Sequence, residues 1–134
     1  MITQIKKVDE YSVKEAKELL FNGEVVGMPT ETVYGLGGDG TNAEAAKKIY
    51  AAKGRPSDNP LIVHIADLSE WEKLVSNIPS QAKALAQAFW PGPLTLVVNK
   101  SEIVPDAVSA GLPTVAVRYP SNKFAQELIN VVQS

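Results

Sequence analysis

The sequence predicts an α/β fold in which flanking helices surround a twisted, mostly mixed sheet with a cleft. Strand-like apolar runs alternate along the chain with segments whose apolar residues repeat at helical spacing. The two strand candidates at 94–99 and 114–118 have no helical pattern between them, which favours neighbouring strands in a mixed sheet. Because the 134 residues contain no repeat or linker, we expect residues 1–134 to form a single domain.

The first part of the chain predicts a strand, a helix and a second strand. Residues 2–5 are a short strand candidate. Ser12 and Glu15 have the spacing of a capping box, and Asn22-Gly23 is typical of a helix end. Residues 24–28 then predict a buried strand. The apolar face of the helix carries Val13, Ala16, Leu19 and Leu20.

A glycine-rich stretch, PTETVYGLGGDG at 29–40, separates this strand from the next helix. Its GLGGDG part matches the G-x-G-x-x-G pattern of dinucleotide-binding loops, although Pro29 to Tyr34 intervene between strand and glycines. The alternative is a flexible turn that needs positive φ angles. Thr41 and Glu44 predict a second capping box, and Gly54 predicts the helix end. The apolar face of this helix carries Ala45, Ala46, Ile49 and Tyr50.

The second half of the chain predicts further strands and helices around a rigid turn, Trp90-Pro91-Gly92-Pro93. Ser121 would begin a last helix with Phe124, Leu128 and Ile129 on one side. The remaining candidates are strands at 61–65, 94–99 and 114–118 and helices at 68–75 and 80–89.

Composition limits the function classes. A net charge of −2 argues against a dedicated nucleic-acid-binding protein, which normally has a basic excess. The absence of cysteine excludes disulfides and thiolate sites, and a single histidine excludes a multi-histidine zinc site. We therefore expect any metal to be a hard ion such as Mg²⁺, arriving with phosphate oxygens. No run approaches the roughly 20 apolar residues that span a bilayer, so we expect no membrane partner and a cytoplasmic location.

The segment KGRPSDNPL, residues 53–61, is a candidate phosphate-binding loop. Lys53 offers a point charge and Arg55 a planar fork of donors, while Pro56 stiffens the chain and Asn59 adds an amide. The alternative for Lys53 is a cation favoured by the helix C-terminus, and Asn59 could equally bridge a turn. Because Arg55 lies beyond the expected helix end, the helix dipole explains it less well.

Two strands carry polar candidates on one face. Alternation places His64 with Ile62, and Thr114 with Arg118. A lone histidine on such a strand is more often a core residue than a catalyst, and a strand-end arginine is more often a surface ion pair. If this face lines a cleft, Arg118 suits a substrate carboxylate. Thr32 follows a strand end, where α/β sheets place ligands.

Four motifs together resemble the threonylcarbamoyl-AMP synthase family, the YrdC-like domain: PTETVYGL, KGRPSDNPL, WPGPLT and TVAVRYP. The resemblance runs in order from about Ile5 to the C-terminus. It implies a YrdC-like fold and a nucleotidyltransferase that makes threonylcarbamoyl-AMP and pyrophosphate from L-threonine, bicarbonate or CO₂, and ATP with Mg²⁺. That product serves the N6-threonylcarbamoyladenosine modification of tRNA at position 37, which implies tRNA and other tRNA-modification proteins as partners.

The resemblance also implies residue roles. Lys53 and Arg55, the family's Lys-x-Arg pair, would act on the ATP phosphates as catalytic and nucleotide-binding residues. Asn59 and Thr114 would complete the nucleotide contacts. Thr32, His64 and Arg118 would bind L-threonine, and the resemblance implies no protein ligand for a metal.

The family's Ser-x-Asn segment has no match before Ser134, so we expect the chain to be an N-terminal portion of the domain or a naturally shortened relative, with retained but weakened ligand binding and little turnover. An RNA-binding module for double-stranded RNA or tRNA, without turnover, is the alternative in another class. Further enzyme alternatives are the related carbamoyl-adenylate-forming domain of hydrogenase-maturation proteins and a dinucleotide-binding dehydrogenase.

Overall fold

A six-stranded mixed sheet organises the part of the chain that the computed structural model describes, residues 3–28, 35–54, 59–123, 126 and 131–133. The strands in chain order are β1 Val26–Met28, β2 Gly35–Asp39, β3 Ile62–His64, β4 Thr95–Asn99, β5 Thr114–Arg118 and β6 Val131–Gln133. Their order across the sheet is β1-β2-β6-β3-β5-β4. The β3–β5 pair is parallel and the other pairs are antiparallel, which confirms the predicted mixed sheet.

Five helices accompany the sheet in the described residues. They are α1 Glu10–Phe21, α2 Ala43–Lys53, α3 Leu68–Leu74, α4 Ser80–Phe89 and α5 Asp106–Ser109. The observed ends of α4 and β5 coincide with the predicted ones. The prediction of no helix between the last two strand candidates was wrong, because the four-residue α5 forms there.

One sheet face forms the core. Val63, Val115 and Val117 alternate along β3 and β5, and each is at most 1% exposed. They pack in one cluster with Ile49 from α2 and Leu74 from α3. Burial of this much apolar surface is the main stabilising contribution to such a domain, at roughly 25 cal/mol per Å². The strand alternation then requires the neighbouring residues to point to the opposite face.

The opposite sheet face is covered at the β1 end by α1. Ala16 and Leu20 of α1 pack against Met28 and Val26 of β1 in a second apolar cluster. Met28 pairs with Gly35 and Val26 with Gly37, so these residues share the face on which the polar residues of β3 and β5 lie. Towards β4 this face is half-buried, and it carries Thr95, Thr114, Ala116 and Arg118.

The caps of the first two helices differ from the predicted ones by one to three residues. Asp9 caps α1 and forms a capping box with Ser12, so Ser12 is the third helical residue and not the cap. Asn42 caps α2 by accepting from the backbone N–H of Glu44 and Ala45. Thr41 instead donates to Asp39 Oδ1. The predicted end of α2 is confirmed, since Gly54 has a left-handed φ of 61°.

Two secondary-structure predictions were wrong. Residues 3–5 form no strand, and Ile5 is 98% exposed. Residues 35–39 of the glycine-rich stretch form β2 and not a loop. Gly35, Gly37 and Gly38 lie inside this strand, so they do not form the glycine-rich strand-to-helix turn that a dinucleotide-binding loop requires.

The C-terminal prediction is only partly covered by the structure. Lys123 and Gln126 are helical, and the Gln126 N–H donates to the Asn122 carbonyl, but Phe124, Leu128 and Ile129 lie outside the described residues. The strand β6 was not predicted. Within the described ranges, no helix is long and apolar enough to cross a bilayer.

Gly38 tests the packing between β2 and α2. A Cβ at Gly38 would lie 3.2 Å from the Cβ of Ala45 and 3.4 Å from Cδ1 of Ile49. Gly38→Val is therefore expected to lower the free energy of unfolding by about 1–3 kcal/mol, measured by urea denaturation. Gly27→Val is the matched control, because a Cβ at Gly27 in the neighbouring strand meets nothing within 4 Å. Equal destabilisation of both variants would contradict this packing constraint.

Candidate active site

The parallel pair β3–β5 brings two of the predicted site residues side by side. His64 pairs with Arg118, and Ile62 pairs with Ala116. Paired residues of neighbouring strands point to the same face and lie about 5 Å apart. His64 and Arg118 therefore share one face of the sheet, at the C-terminal ends of both strands.

Arg118 is half-buried and hydrogen-bonds to a neutral partner. Its Nε and Nη2 both donate to Oγ1 of Thr95, at 3.0 and 2.8 Å. Thr95 is the residue paired with Arg118 across the antiparallel β4–β5 ladder. No acidic residue of the described chain forms an ion pair with Arg118. The alternative of a surface ion pair therefore finds no support in this part of the structure.

His64 is buried, with 3% of its surface exposed. Its Nδ1 lies 3.3 Å from the carbonyl oxygen of Ile62, and because a carbonyl only accepts, this contact is a hydrogen bond in the tautomer that carries the proton on Nδ1. In that neutral tautomer Nε2 is a hydrogen-bond acceptor. Both interpretations left open by the sequence, a core histidine and a histidine that orients a ligand, are compatible with this placement.

The other end of the same strands carries the predicted nucleotide residues. Thr114 begins β5, and Asn59 lies three residues before β3 begins. Because β3 and β5 are parallel, both residues lie at the N-terminal end of this strand pair. Lys53 is the last residue of α2 and is exposed. Gly54, which follows it, begins the connection from α2 to β3.

The connection from α2 to β3 is held by hydrogen bonds at the end that leads into β3. The Tyr50 hydroxyl, on the buried face of α2, donates to the Asn59 carbonyl at 2.6 Å. The Leu61 N–H donates to the Val108 carbonyl of α5 at 3.0 Å. Arg55 and Thr32 lie outside the described residues, so their predicted roles stay predictions.

The two groups of residues define the ends of one sheet face. Thr114 and Arg118 point to the same side of β5 and are about 13 Å apart, since a strand rises about 3.3 Å per residue. A ligand that reached both would be elongated, with a carboxylate or other anion at the Arg118 end.

The WPGPLT turn is fastened to the residue that follows Arg118. The Gly92 N–H donates to the Tyr119 carbonyl at 2.8 Å, and Trp90 Nε1 donates to the Leu94 carbonyl at 2.8 Å. The Trp90 ring packs edge-on against Trp71, with ring centres 4.7 Å apart. The prediction of a rigid turn with a packed indole is confirmed, and the turn fixes the start of β4 beside β5.

Sequence reasoning did not single out Thr95. The signal that could have found it is the antiparallel alternation of β4 and β5, which places a short hydroxyl side chain directly opposite the strand-end arginine.

A cavity of about 490 Å³ opens elsewhere, between the N-terminal segment, α1 and β1. The described residues that line it include Ile5, Val8 and Leu19 and none of the predicted site residues. The lining also carries the ion pair of Lys6 and Glu15, whose charges offset each other at 2.7 Å, whereas Arg118 on the β3–β5 face has no acidic partner in the described chain. Within the described ranges, no group of three or more acidic or histidine side chains could hold a metal ion.

The fold and this polar sheet face define an α/β domain of the YrdC-like class. The family model Sua5_yciO_yrdC, described as "Telomere recombination", matches residues 18–134, and the chain belongs to this family.

Two curated relatives are named threonylcarbamoyl-AMP synthase. The protein of Pyrococcus abyssi is 48% identical over 126 residues, and that of Bacillus subtilis is 50% identical over 129 residues. These alignments cover 94% and 96% of this chain, respectively. The chain spans 37% of the length of either relative.

Solved structures give the same assignment. A structure of P. abyssi Sua5 carrying two substitutions superposes with a TM-score of 0.92 at 45% identity, over 96% of this chain and 41% of the other. P. abyssi Sua5 complexed with L-threonine gives 0.91 at 45% identity, over 96% and 39%. Escherichia coli YciO, with 23% identity and a TM-score of 0.82 over 96% and 65%, shows the fold alone.

Tyr50→Phe tests the anchor of the α2–β3 connection. The ring stays packed, but the hydrogen bond to the Asn59 carbonyl is lost, so the free energy of unfolding should fall by about 0.5–1.5 kcal/mol. Amide exchange at Leu61 should also become faster. Tyr11→Phe is the control, because Tyr11 is 81% exposed and its hydroxyl makes no hydrogen bond to the described chain. Unchanged exchange at Leu61 would mean that Tyr50 does not anchor the connection.

Proposed function

We propose that this chain carries the substrate-binding face of an L-threonylcarbamoyladenylate synthase. The reaction joins L-threonine, bicarbonate or CO₂, and ATP into threonylcarbamoyl-AMP and pyrophosphate, for the N6-threonylcarbamoyladenosine modification of tRNA at position 37. The observation that carries the proposal is the pairing of His64 with Arg118, whose guanidinium has no acidic partner in the described chain. The threonine complex of a 45% identical relative supports the same ligand class.

L-Threonine would lie at the C-terminal ends of β3 and β5. Arg118 would bind the carboxylate, because a guanidinium matches a carboxylate with two parallel hydrogen bonds. His64 would orient the amino acid from the floor of the pocket, since its burial leaves it little access to solvent. Thr32 is the third residue that we assign to this pocket, on the strength of the motif alone.

ATP would lie towards the N-terminal ends of the same strands. Lys53 and Arg55 would offset the phosphate charge, while Asn59 and Thr114 would contact the nucleotide. The distance of about 13 Å between Thr114 and Arg118 suits a substrate pair in which the amino acid and the nucleotide occupy opposite ends.

The chemistry requires positioning more than covalent participation by the protein. The threonine amine attacks the carbon of CO₂ and loses a proton, which gives a carbamate. A carbamate oxygen attacks the α-phosphorus of ATP, and the bond to the β-phosphate oxygen breaks to release pyrophosphate. Fixed cations such as Lys53 and Arg55 would stabilise charge that develops on the phosphates.

Mg²⁺ enters this proposal as part of the ATP substrate. The described residues provide no cluster of acidic or histidine ligands for it, so we assign it no protein ligand and derive no step through it. Phosphate oxygens and water are its usual ligands in such sites. tRNA and the tRNA-modification proteins that use the adenylate are partners within the same proposal.

Calorimetric titration with L-threonine tests the amino-acid end. The chain should bind L-threonine in preference to D-threonine, with and without ATP and Mg²⁺. Arg118→Ala should weaken binding by about 1.5–3 kcal/mol, on the order of 10- to 150-fold in Kd, because charged hydrogen bonds to the carboxylate are lost. Threonine affinity that is the same in Arg118→Ala as in the unaltered chain would remove Arg118 from the pocket.

Lys53→Ala tests the nucleotide end. It should weaken ATP binding on the order of 10-fold, because one charge-assisted contact to the phosphates is lost, and should leave threonine affinity unchanged. Lys47→Ala is the matched control on the same helix, since Lys47 is exposed and pairs with Glu44 at 3.2 Å. Equal ATP affinities of the two variants would contradict the assignment of Lys53.

A further inference from the structure

Arg118 is hydrogen-bonded along one edge of its guanidinium to Thr95, on the polar face of the sheet. Two of its five N–H groups, one on Nε and one on Nη2, are directed at a single oxygen, Oγ1 of Thr95. Of the three remaining N–H groups, one on Nη1 and one on Nη2 are parallel and form the terminal edge of the guanidinium, while the second Nη1–H points back towards Cδ. The terminal edge therefore still presents two parallel donors for a carboxylate.

Thr95 is suited to hold this orientation. It is the direct cross-strand partner of Arg118, so its side chain stands on the same face within reach of the guanidinium. A β-branched residue is stiff about χ1, which fixes the position of the hydroxyl oxygen. The strand that carries Thr95 is itself fixed by the adjacent turn, in which Trp90 Nε1 donates to the Leu94 carbonyl.

The neutrality of Thr95 matters as much as its geometry. A carboxylate at this position would neutralise the guanidinium and compete with an incoming anion. A hydroxyl accepts the two hydrogen bonds and leaves the positive charge uncompensated. Within the described ranges, Nη1 has no hydrogen-bond partner, so the terminal edge is open to a ligand.

We infer that Thr95 is a positioning residue, which orients Arg118 so that its terminal Nη1–Nη2 edge receives the carboxylate of the amino-acid substrate. This inference rests on the proposed function for the identity of the ligand. The orientation of Arg118 is a separate claim, which can be measured without any ligand.

The first test is calorimetric titration of the full chain with L-threonine. Thr95→Val keeps the shape of the side chain and removes the acceptor, so Arg118 must be ordered by the ligand at each binding event. Binding should weaken on the order of 3- to 10-fold, the usual effect of immobilising one long side chain. Thr95→Ser should restore most of the affinity, because it keeps the hydroxyl. Val97→Ala, on the same strand and face and with Val97 59% exposed, is the control for a general disturbance of β4.

The second test follows the Nε–H signal of Arg118 in ¹⁵N NMR spectra without ligand. In the unaltered chain and in Thr95→Ser it should exchange slowly with water, and in Thr95→Val fast. Equal exchange in all three would overturn the inference.

The outcomes separate the inference from the proposed function. If the unaltered chain binds no L-threonine, the proposed function is wrong for this chain. The NMR signal then still decides whether Thr95 orients Arg118. If the unaltered chain binds L-threonine and Thr95→Val binds it equally well or more tightly, Thr95 competes with the carboxylate or has no role, and the inference fails. A loss in Thr95→Val that Thr95→Ser does not restore would also overturn it.

Discussion

The burial of Val63, Val115 and Val117 on one face of β3 and β5 is the constraint on which the rest of the structure depends. These side chains are at most 1% exposed and join the helices to the sheet. Because side chains alternate along a strand, their burial forces His64, Thr114 and Arg118 onto the other face. A slip of one residue in register would exchange the two sets, and that would place an arginine in the core. The same apolar contacts therefore stabilise the fold and orient the candidate site.

Helix α2 contributes both to the core and to the connection that leads into β3. Ile49 packs in the core, while Tyr50, one residue further along, donates its hydroxyl to the Asn59 carbonyl at 2.6 Å. Gly54 ends the helix in a left-handed conformation. The exposed Lys53 is the last residue of this helix, three residues after Tyr50. Positioning by a helix end and a strand start is more rigid than positioning by a loop alone.

The sequence predicted best those elements that proline bounds. Helix α4 lies between Pro79 and the Trp90-Pro91 turn, and β5 lies between Pro113 and Pro120. Both ends of each element could therefore be predicted from the positions of proline. The segment GLGGD was assigned to a loop because it matches the G-x-G-x-x-G pattern or a flexible turn; at Gly38, however, glycine fits a strand because a Cβ would lie only 3.2 Å from the Cβ of Ala45 on α2. Alternation predicted that Thr114 and Arg118 share one face of a strand. It did not single out Thr95, because the contact of Thr95 with Arg118 arises from pairing between strands distant in sequence.

A half-buried arginine hydrogen-bonded to a neutral hydroxyl is an unfavourable arrangement for stability alone. Removing a guanidinium from water costs free energy that a carboxylate partner would offset more fully than a threonine does. No carboxylate of the described chain supplies that offset at Arg118. Natural proteins tolerate such local conflicts mainly where a ligand completes the interaction. The missing counter-charge at Arg118, next to the buried His64 on the half-buried polar face of the sheet, is therefore the feature that distinguishes this face from an ordinary polar surface, and an anionic ligand is the complement that the proposed function assigns to it.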